Sequence, residues 1–144
     1  MKGESITEKL KKDGFVEITS IIVRYAETDM MGVAHHSAYV IWAEEGRSEY
    51  MRKAGLPYSK LEKMGISLPV VRLEIKYLKP ALYEDRIKIF MKVDVKKRKV
   101  VMEFVMVREN EVIARGKTIH IPVSAQGLIP TALPEPIQKS LQKI

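Results

Sequence analysis

The sequence contains no cysteine among its 144 residues. Disulfide bonds, thiolate nucleophiles and cysteine-ligated metals are therefore excluded. No apolar run approaches the roughly 18 residues that cross a bilayer, and the charged first 14 residues lack the apolar stretch of a secretory signal. We therefore expect a cytoplasmic protein without a transmembrane segment. Aromatic residues make up only 7% of the chain and are not interleaved with basic ones, so no platform for stacking nucleic-acid bases is expected.

Hydrophobic residues are plentiful, at 46% of the chain, and they are enough to build a core. The length predicts one domain over residues 1–144, with a core from about residue 15 to residue 123. The formal net charge is +7. This excess favours phosphate-bearing or other polyanionic partners, although a lysine-rich soluble surface explains it equally well.

Hydrophobic periodicity and breaker residues predict the order of the elements. The first 14 residues are expected to be frayed or a short helical turn. After them the pattern predicts a strand Phe15–Tyr25, a long helix Ser37–Ala54 capped by Ser37, a short helix Pro57–Met64, an extended segment Ile66–Lys79, strands Arg86–Lys96, Val100–Arg108 and Val112–Val123, and a short helix Pro136–Lys143. Gly116 is expected at a bulge or a close backbone contact, and Lys96–Lys99 at a hairpin tip.

This order predicts an α+β fold in which a five-stranded antiparallel sheet wraps around one long helix. The apolar side chains of the helix cover more than one stripe of its surface, which is typical of an enclosed helix. One helix covers only part of such a sheet and leaves a strand edge unpaired. Dimerisation would resolve both problems, so we expect a homo-oligomer.

The loop before the long helix is the candidate site. It carries Asp29 and Gly32 and leads into a helix N-terminus near His36, where free N–H groups and a partial positive charge can hold a developing oxyanion. From these residues alone, Asp29 is a catalytic carboxylate, a solvated loop residue or a capping residue. No pair of histidines has a spacing that, with a carboxylate, indicates a metal site.

Two motifs resemble one known family. The first consists of Tyr25, Glu27, Thr28, Asp29, Gly32, Val33, His36 and Tyr39, followed by Trp42, Glu44 and Arg47. The second consists of Tyr77, Leu78, Lys79, Pro80, Ala81, Tyr83 and Asp85. Together they resemble the signature of hotdog-fold acyl-CoA thioesterases, in particular the branch of the 4-hydroxybenzoyl-CoA thioesterases. The resemblance extends over roughly residues 16–121.

The resemblance implies a catalytic role for Asp29, as nucleophile or general base, and an oxyanion-binding role for the backbone N–H of His36. The predicted substrate-binding residues are Tyr25, Gly32, Val33, Tyr39 and Lys88. It also implies two subunits that share a ten-stranded sheet, with active sites at their interface, and dimers that associate into a homotetramer. No metal or separate cofactor is expected, because coenzyme A is part of the substrate.

Several alternatives stay open at this stage. The substrate is an acyl-CoA or an acyl group on a carrier protein, and a non-catalytic acyl-CoA-binding hotdog domain is a third interpretation. The basic residues Lys88 and Lys96–Lys99 either meet the phosphates of coenzyme A or protect a strand edge. Glu44 and Arg47 are interpreted as an ion pair or a dimer contact. Ala38 stands where many relatives carry Asn or Ser, so no polar side-chain contact is expected from this position.

Overall fold

The computed structural model describes residues 3–144; the part of the N-terminal expectation that concerns Met1 and Lys2 lies outside the described residues. In chain order the elements are α1 (Ile6–Lys12), β1 (Val16–Ile22), a 3-10 turn (Tyr25–Glu27), α2 (His36–Lys53), α3 (Tyr58–Lys63), β2 (Ile66–Ser67), β3 (Val70–Tyr77), β4 (Arg86–Lys96), β5 (Lys99–Arg108), β6 (Glu111–His120), β7 (Val123–Ser124) and α4 (Glu135–Gln142). Within this part of the chain, no helix has the length and apolar content that crossing a membrane requires.

The main sheet has five antiparallel strands in the order β1-β4-β5-β6-β3, which confirms the predicted architecture. The alternation predicted for β4 is also confirmed, because Ile87, Ile89, Met91 and Val93 belong to the main buried core. Phe90 breaks the pattern for a physical reason. It faces the other side of the sheet, where α1 covers it in a smaller core that includes Leu10.

Helix α2 packs against β1 and β4 and is enclosed, as its apolar sequence predicts. Tyr39, Trp42 and Tyr50 are all at most 3% exposed. Gly46 allows the close approach to β4, because a Cβ atom at this position would lie only 3.0 Å from Cγ2 of Ile89. The helix thus forms the centre of the core, and its N-terminus is held at one end of the sheet.

Three predicted strand boundaries are wrong. The first strand ends at Ile22, and Tyr25 lies instead in the 3-10 turn. The extended segment Ile66–Lys79 is divided at Pro69, which lacks an N–H group to continue a ladder. Its two parts join different sheets, since β2 pairs with β7. The strand predicted to run to Val123 likewise ends at His120, before Pro122.

The predicted cap of α2 is also wrong, because the helix begins at His36 and His35, not Ser37, is the N-cap residue. The N-terminal and C-terminal helices are present as α1 and α4. Ile137 and Leu141 of α4 belong to the main core, so buried residues continue beyond residue 123.

Candidate active site

Asp29 organises the loop that precedes α2. Its Oδ1 accepts hydrogen bonds from the N–H groups of Met31 (2.8 Å) and Val33 (3.1 Å), and its own N–H donates to the carbonyl of Val33 (2.9 Å). The two N–H donors lower the pKa of Asp29. Among residues 3–144, Oδ2 makes no hydrogen bond, and the residue is exposed. The carboxylate is therefore ionised near neutral pH and has one oxygen free to react.

Gly32 completes this turn. Its φ is +76°, a backbone conformation that favours glycine, and no atom lies within 4 Å of where its Cβ would be. Its N–H donates to the carbonyl of Asp29 at 3.1 Å, and its carbonyl accepts the N–H of Tyr83 at 3.0 Å. The turn thereby connects the catalytic candidate to the segment that follows β3.

The loop is anchored by Glu27, a buried carboxylate that is 7% exposed. Its side chain accepts hydrogen bonds from the Arg24 N–H (2.8 Å), the Arg24 guanidinium (3.1 Å) and the Trp42 indole N–H (2.8 Å). Burial raises the pKa of Glu27, but these hydrogen bonds outweigh burial and the net pKa is lowered. The Glu27 carbonyl also accepts the N–H of His35 at 2.8 Å. Glu27 therefore ties the loop to the start of α2.

The first residue of α2 supplies a free donor. The N–H of His36 makes no hydrogen bond in the part of the chain that the structure describes, as expected for the first turn of a helix. The His36 ring stacks on Tyr77, with centroids 3.9 Å apart and planes 11° apart. The Tyr77 hydroxyl donates to the His36 carbonyl at 3.2 Å. An anion or oxyanion near this N–H would also be favoured by the helix dipole.

A cavity of about 230 Å³ opens beside this helix start. Its lining consists of Val33, Ala34, His36, Tyr39, Tyr77, Leu78, Lys79 and Pro80. The cavity brings together three predicted site residues, Val33, His36 and Tyr39. Asp29 does not line it, but its Oδ1 is bonded to the N–H of Val33, which does. Tyr77 stands in the second motif, but its residue type and spacing did not predict a role in the site.

Tyr39 is a buried wall of the cavity. Its phenol oxygen accepts the N–H of Ala81 at 3.0 Å, and the Ala81 carbonyl accepts the N–H of Ala34 at 2.8 Å. Burial raises the pKa of Tyr39. The second motif is thus hydrogen-bonded both to α2 and to the loop of the first motif.

Tyr25 and Lys88 lie apart from the cavity. Tyr25 is 76% exposed and packs edge-on against Tyr83, with ring centroids 5.6 Å apart. Lys88 alternates with the inward-facing residues of β4, so it lies on the opposite face of the sheet from α2, where its nearest carboxylate is Glu17 at 3.9 Å. Their substrate-binding roles stay predictions.

Glu44, Arg47 and His120 are the remaining residues considered from the sequence. No ion pair joins Glu44 to Arg47 among the described residues, so the ion-pair alternative is wrong, and a dimer contact stays a prediction. His120 is buried and held by hydrogen bonds to Thr118 and Leu68. Within residues 3–144 there is no cluster of three or more side chains suited to hold a metal ion.

Comparison with known proteins agrees with the fold and with the motifs. A family model described as the thioesterase-like superfamily matches residues 23–141. The crystal structure of a hypothetical protein from Thermus thermophilus has a TM-score of 0.82 and 33% identity, covering 88% of this chain and 97% of that one. DHNA-CoA thioesterase from Staphylococcus aureus has a TM-score of 0.77 and 34% identity, covering 83% and 80% respectively.

One relative found by sequence is named as a thioester hydrolase. The acyl-CoA thioester hydrolase YbgC of Escherichia coli O157:H7 is 25% identical over 117 residues, which cover 80% of this chain and 87% of that protein. The family match spans well over half of the chain, and the two structural matches have TM-scores of 0.82 and 0.77. The chain therefore belongs to the thioesterase-like superfamily, and it is a thioester hydrolase with the hotdog fold.

Proposed function

We propose that this protein hydrolyses acyl-CoA thioesters to a free acid and coenzyme A at the N-terminus of α2. The observation that carries this proposal is the unpaired N–H of His36 at the edge of a cavity, next to a loop that holds the ionised carboxylate of Asp29. Thioester hydrolysis needs both groups, one to polarise the carbonyl and one to attack it or to activate water.

The chemistry follows from these two groups. The carbonyl oxygen of the thioester accepts the N–H of His36, and negative charge develops on that oxygen in the transition state. Oδ2 of Asp29 either attacks the carbonyl carbon, expelling the thiolate of coenzyme A and leaving an anhydride that water cleaves, or takes a proton from the attacking water. Val33 and Tyr39 form part of the wall that holds the acyl group. Gly32 and Tyr25 lie on either side of Asp29 in sequence and are proposed to contact the substrate.

The relatives support the substrate class. The Staphylococcus aureus protein is named a DHNA-CoA thioesterase, and the Escherichia coli protein an acyl-CoA thioester hydrolase. Both names denote acyl groups carried on coenzyme A, which suits a protein with a formal charge of +7, because coenzyme A is polyanionic. Lys88 is kept as a candidate contact for these phosphates.

A homodimer is part of the proposal. β3 lies at the edge of the sheet and exposes three apolar side chains, Val70 (41%), Val71 (57%) and Leu73 (39%). Pairing of β3 with a second copy would satisfy this edge and cover the apolar residues. It would also give Asp29, which is exposed in a single chain, a second surface against which a substrate is enclosed. Light scattering after size exclusion measures the assembly, for which we propose a dimer that associates further into a tetramer.

The variant Asp29→Asn tests the catalytic assignment, since it keeps the shape of the side chain and removes the charge. We expect kcat/KM on acyl-CoA to fall at least about a hundredfold. Asp94→Asn is a matched control, because Asp94 is an exposed carboxylate on β4 that lines no part of the cavity. Wild-type rates for Asp29→Asn on short, long, branched and aromatic acyl-CoAs would contradict the proposal.

A second candidate substrate is an acyl group carried on an acidic carrier protein. Lys97, Arg98 and Lys99 at the hairpin between β4 and β5 are exposed and form no ion pair within the described residues. These charges suit an acidic protein surface. Hydrolysis rates measured on one acyl group, attached either to coenzyme A or to a carrier protein, distinguish the two. A tight acyl-CoA complex, together with hydrolysis of neither substrate, would contradict both.

A further inference from the structure

We infer that Tyr77 is a positioning residue, which holds His36, the first residue of α2, so that the N–H of this residue points at the bound thioester. This inference rests on the proposed function and adds a residue to it. Tyr77 lies on β3, whereas His36 begins α2, so the contact joins the sheet to the helix at the point where the oxyanion would form.

Two separate contacts fix His36 to Tyr77. The rings are stacked at 3.9 Å with an angle of 11°, and the Tyr77 hydroxyl donates to the His36 carbonyl at 3.2 Å. The ring contact restrains the side chain, and the hydroxyl contact restrains the main chain. A first-turn residue lacks the hydrogen bonds that hold the helix interior, so it would otherwise be the part of the helix most prone to fray.

Tyr77 is itself held in place. Its ring packs edge-on against the buried ring of Tyr39, with centroids 5.0 Å apart. Tyr39 is bonded through its phenol oxygen to the N–H of Ala81, four residues after Tyr77. The main chain of Tyr77 pairs with Ala114 of β6. These contacts fix Tyr77 relative to the sheet. Tyr77 can therefore hold His36 at a defined position relative to the sheet.

The two parts of this contact predict different kinetic effects. Tyr77→Phe removes only the hydroxyl, keeps the cavity wall, and is expected to lower kcat about three- to tenfold with KM within about twofold. Tyr77→Leu also removes the stacked ring, and the loss in kcat should approach a hundredfold, because small misplacements of catalytic groups are costly. Tyr58→Phe on α3 is the matched control, since Tyr58 does not line the cavity.

A double-mutant cycle tests whether Tyr77 acts through His36. His36→Ala removes the stacked ring but keeps the backbone N–H. In the variant with both His36→Ala and Tyr77→Leu, the loss in kcat should be clearly smaller than the product of the two single losses. Multiplicative losses, or an effect of Tyr77→Phe confined to KM, would overturn the inference.

A readout that does not depend on activity completes the test. The NMR order parameter of the His36 N–H should fall from a rigid value of about 0.85 towards about 0.6 in Tyr77→Leu. An unchanged order parameter with unchanged kcat would overturn the positioning role even if Asp29→Asn is inactive. Conversely, if Asp29→Asn retains full activity, the proposed function fails, whereas the order parameter still decides whether Tyr77 holds the helix start.

Discussion

The indole Nε1 of Trp42 donates a hydrogen bond of 2.8 Å to Oε2 of Glu27, and both residues are buried. Trp42 belongs to the centre of α2, whereas Glu27 precedes the Asp29 turn by two residues. One contact therefore connects the hydrophobic core to the loop that carries the candidate catalytic group. It also explains why a carboxylate is tolerated inside the protein, since every buried side-chain oxygen or nitrogen among the described residues has a hydrogen-bond partner.

Trp42→Phe should lower the free energy of unfolding by about 1.5–3 kcal/mol, because a buried carboxylate loses one of its donors. Urea unfolding followed by circular dichroism measures this change without relying on tryptophan fluorescence. Tyr25→Phe is a suitable control, since Tyr25 is 76% exposed and its hydroxyl makes no hydrogen bond within residues 3–144. A Trp42→Phe protein as stable as the wild type would show that the Arg24 donors satisfy Glu27 alone.

Gly116→Ala should also destabilise the fold. The sequence predicted a bulge or a close backbone contact here, and the structure confirms the close contact. A Cβ at this position would lie 2.1 Å from the carbonyl oxygen of Glu74 and 2.8 Å from the Phe104 ring. Since backbone atoms of β3 must move to relieve this overlap, we expect a loss of about 1–3 kcal/mol or more. Gly3→Ala, with no atom within 4 Å of the added carbon, should leave the unfolding midpoint unchanged.

Gln142→Ala should weaken the β4 edge that β1 leaves uncovered. The side-chain amide of Gln142 donates to the Val93 carbonyl (2.9 Å) and accepts the Val95 N–H (3.1 Å), as a neighbouring strand would. Loss of both bonds should cost about 1–3 kcal/mol and expose unpaired backbone groups. Thermal unfolding and light scattering measure stability and aggregation. The exposed Gln126→Ala serves as control, and equal behaviour of the two variants would contradict the prediction.

Stability should fall between pH 7.5 and 5.5 because of His120. Nδ1 lies 2.9 Å from the Leu68 carbonyl, which can only accept, so Nδ1 carries the proton and Nε2 accepts from Thr118. Burial lowers the pKa of His120, so the folded protein binds this proton less readily than the unfolded chain does. The contribution is complete above the unfolded pKa of about 6.5 and is lost progressively as the pH falls towards the folded pKa.

The measurement for this prediction is urea unfolding at several pH values. His120→Gln should be less stable at pH 7.5, and its stability should depend less on pH between 7.5 and 5.5. His35→Gln, at an exposed position, should retain the wild-type dependence. The same slope in His120→Gln and wild type would mean that other groups cause the pH effect.

Some elements of the fold are predicted correctly from the sequence, and others are not. The alternation of β4 and the apolar faces of α2 are local patterns, and both elements were confirmed. Apolar residues stand on both sides of Pro69 and predict one continuous extended segment, whereas only pairing with β7 places β2 in another sheet. The residue type of Ser37 predicts a cap, whereas in the structure α2 begins one residue earlier and the N–H of His35 donates to the Glu27 carbonyl.

The candidate site likewise contains residues that the sequence identifies and residues that only the structure brings together. The motif residues Asp29 and His36 were identified from sequence, and their catalytic roles stay predictions. Tyr77 follows His36 by 41 residues, and no periodicity relates the two positions. The charge of Lys88 predicts a contact with phosphate, but the alternation of β4 places this residue on the face away from α2. Charge and residue type indicate a possible partner, whereas the sheet decides which side of the molecule a residue occupies.

The sequence by itself determined the strand and helix order, the enclosed helix and the family, because each depends on local periodicity or on motifs contiguous in the chain. Only the tertiary structure decided that Trp42 satisfies Glu27, that Tyr77 holds His36 and that Gln142 completes β4. These contacts join residues far apart in sequence, and their geometry depends on how the helix crosses the sheet. Such contacts leave no local pattern in the chain, because their energy arises only when the packed elements bring the atoms together.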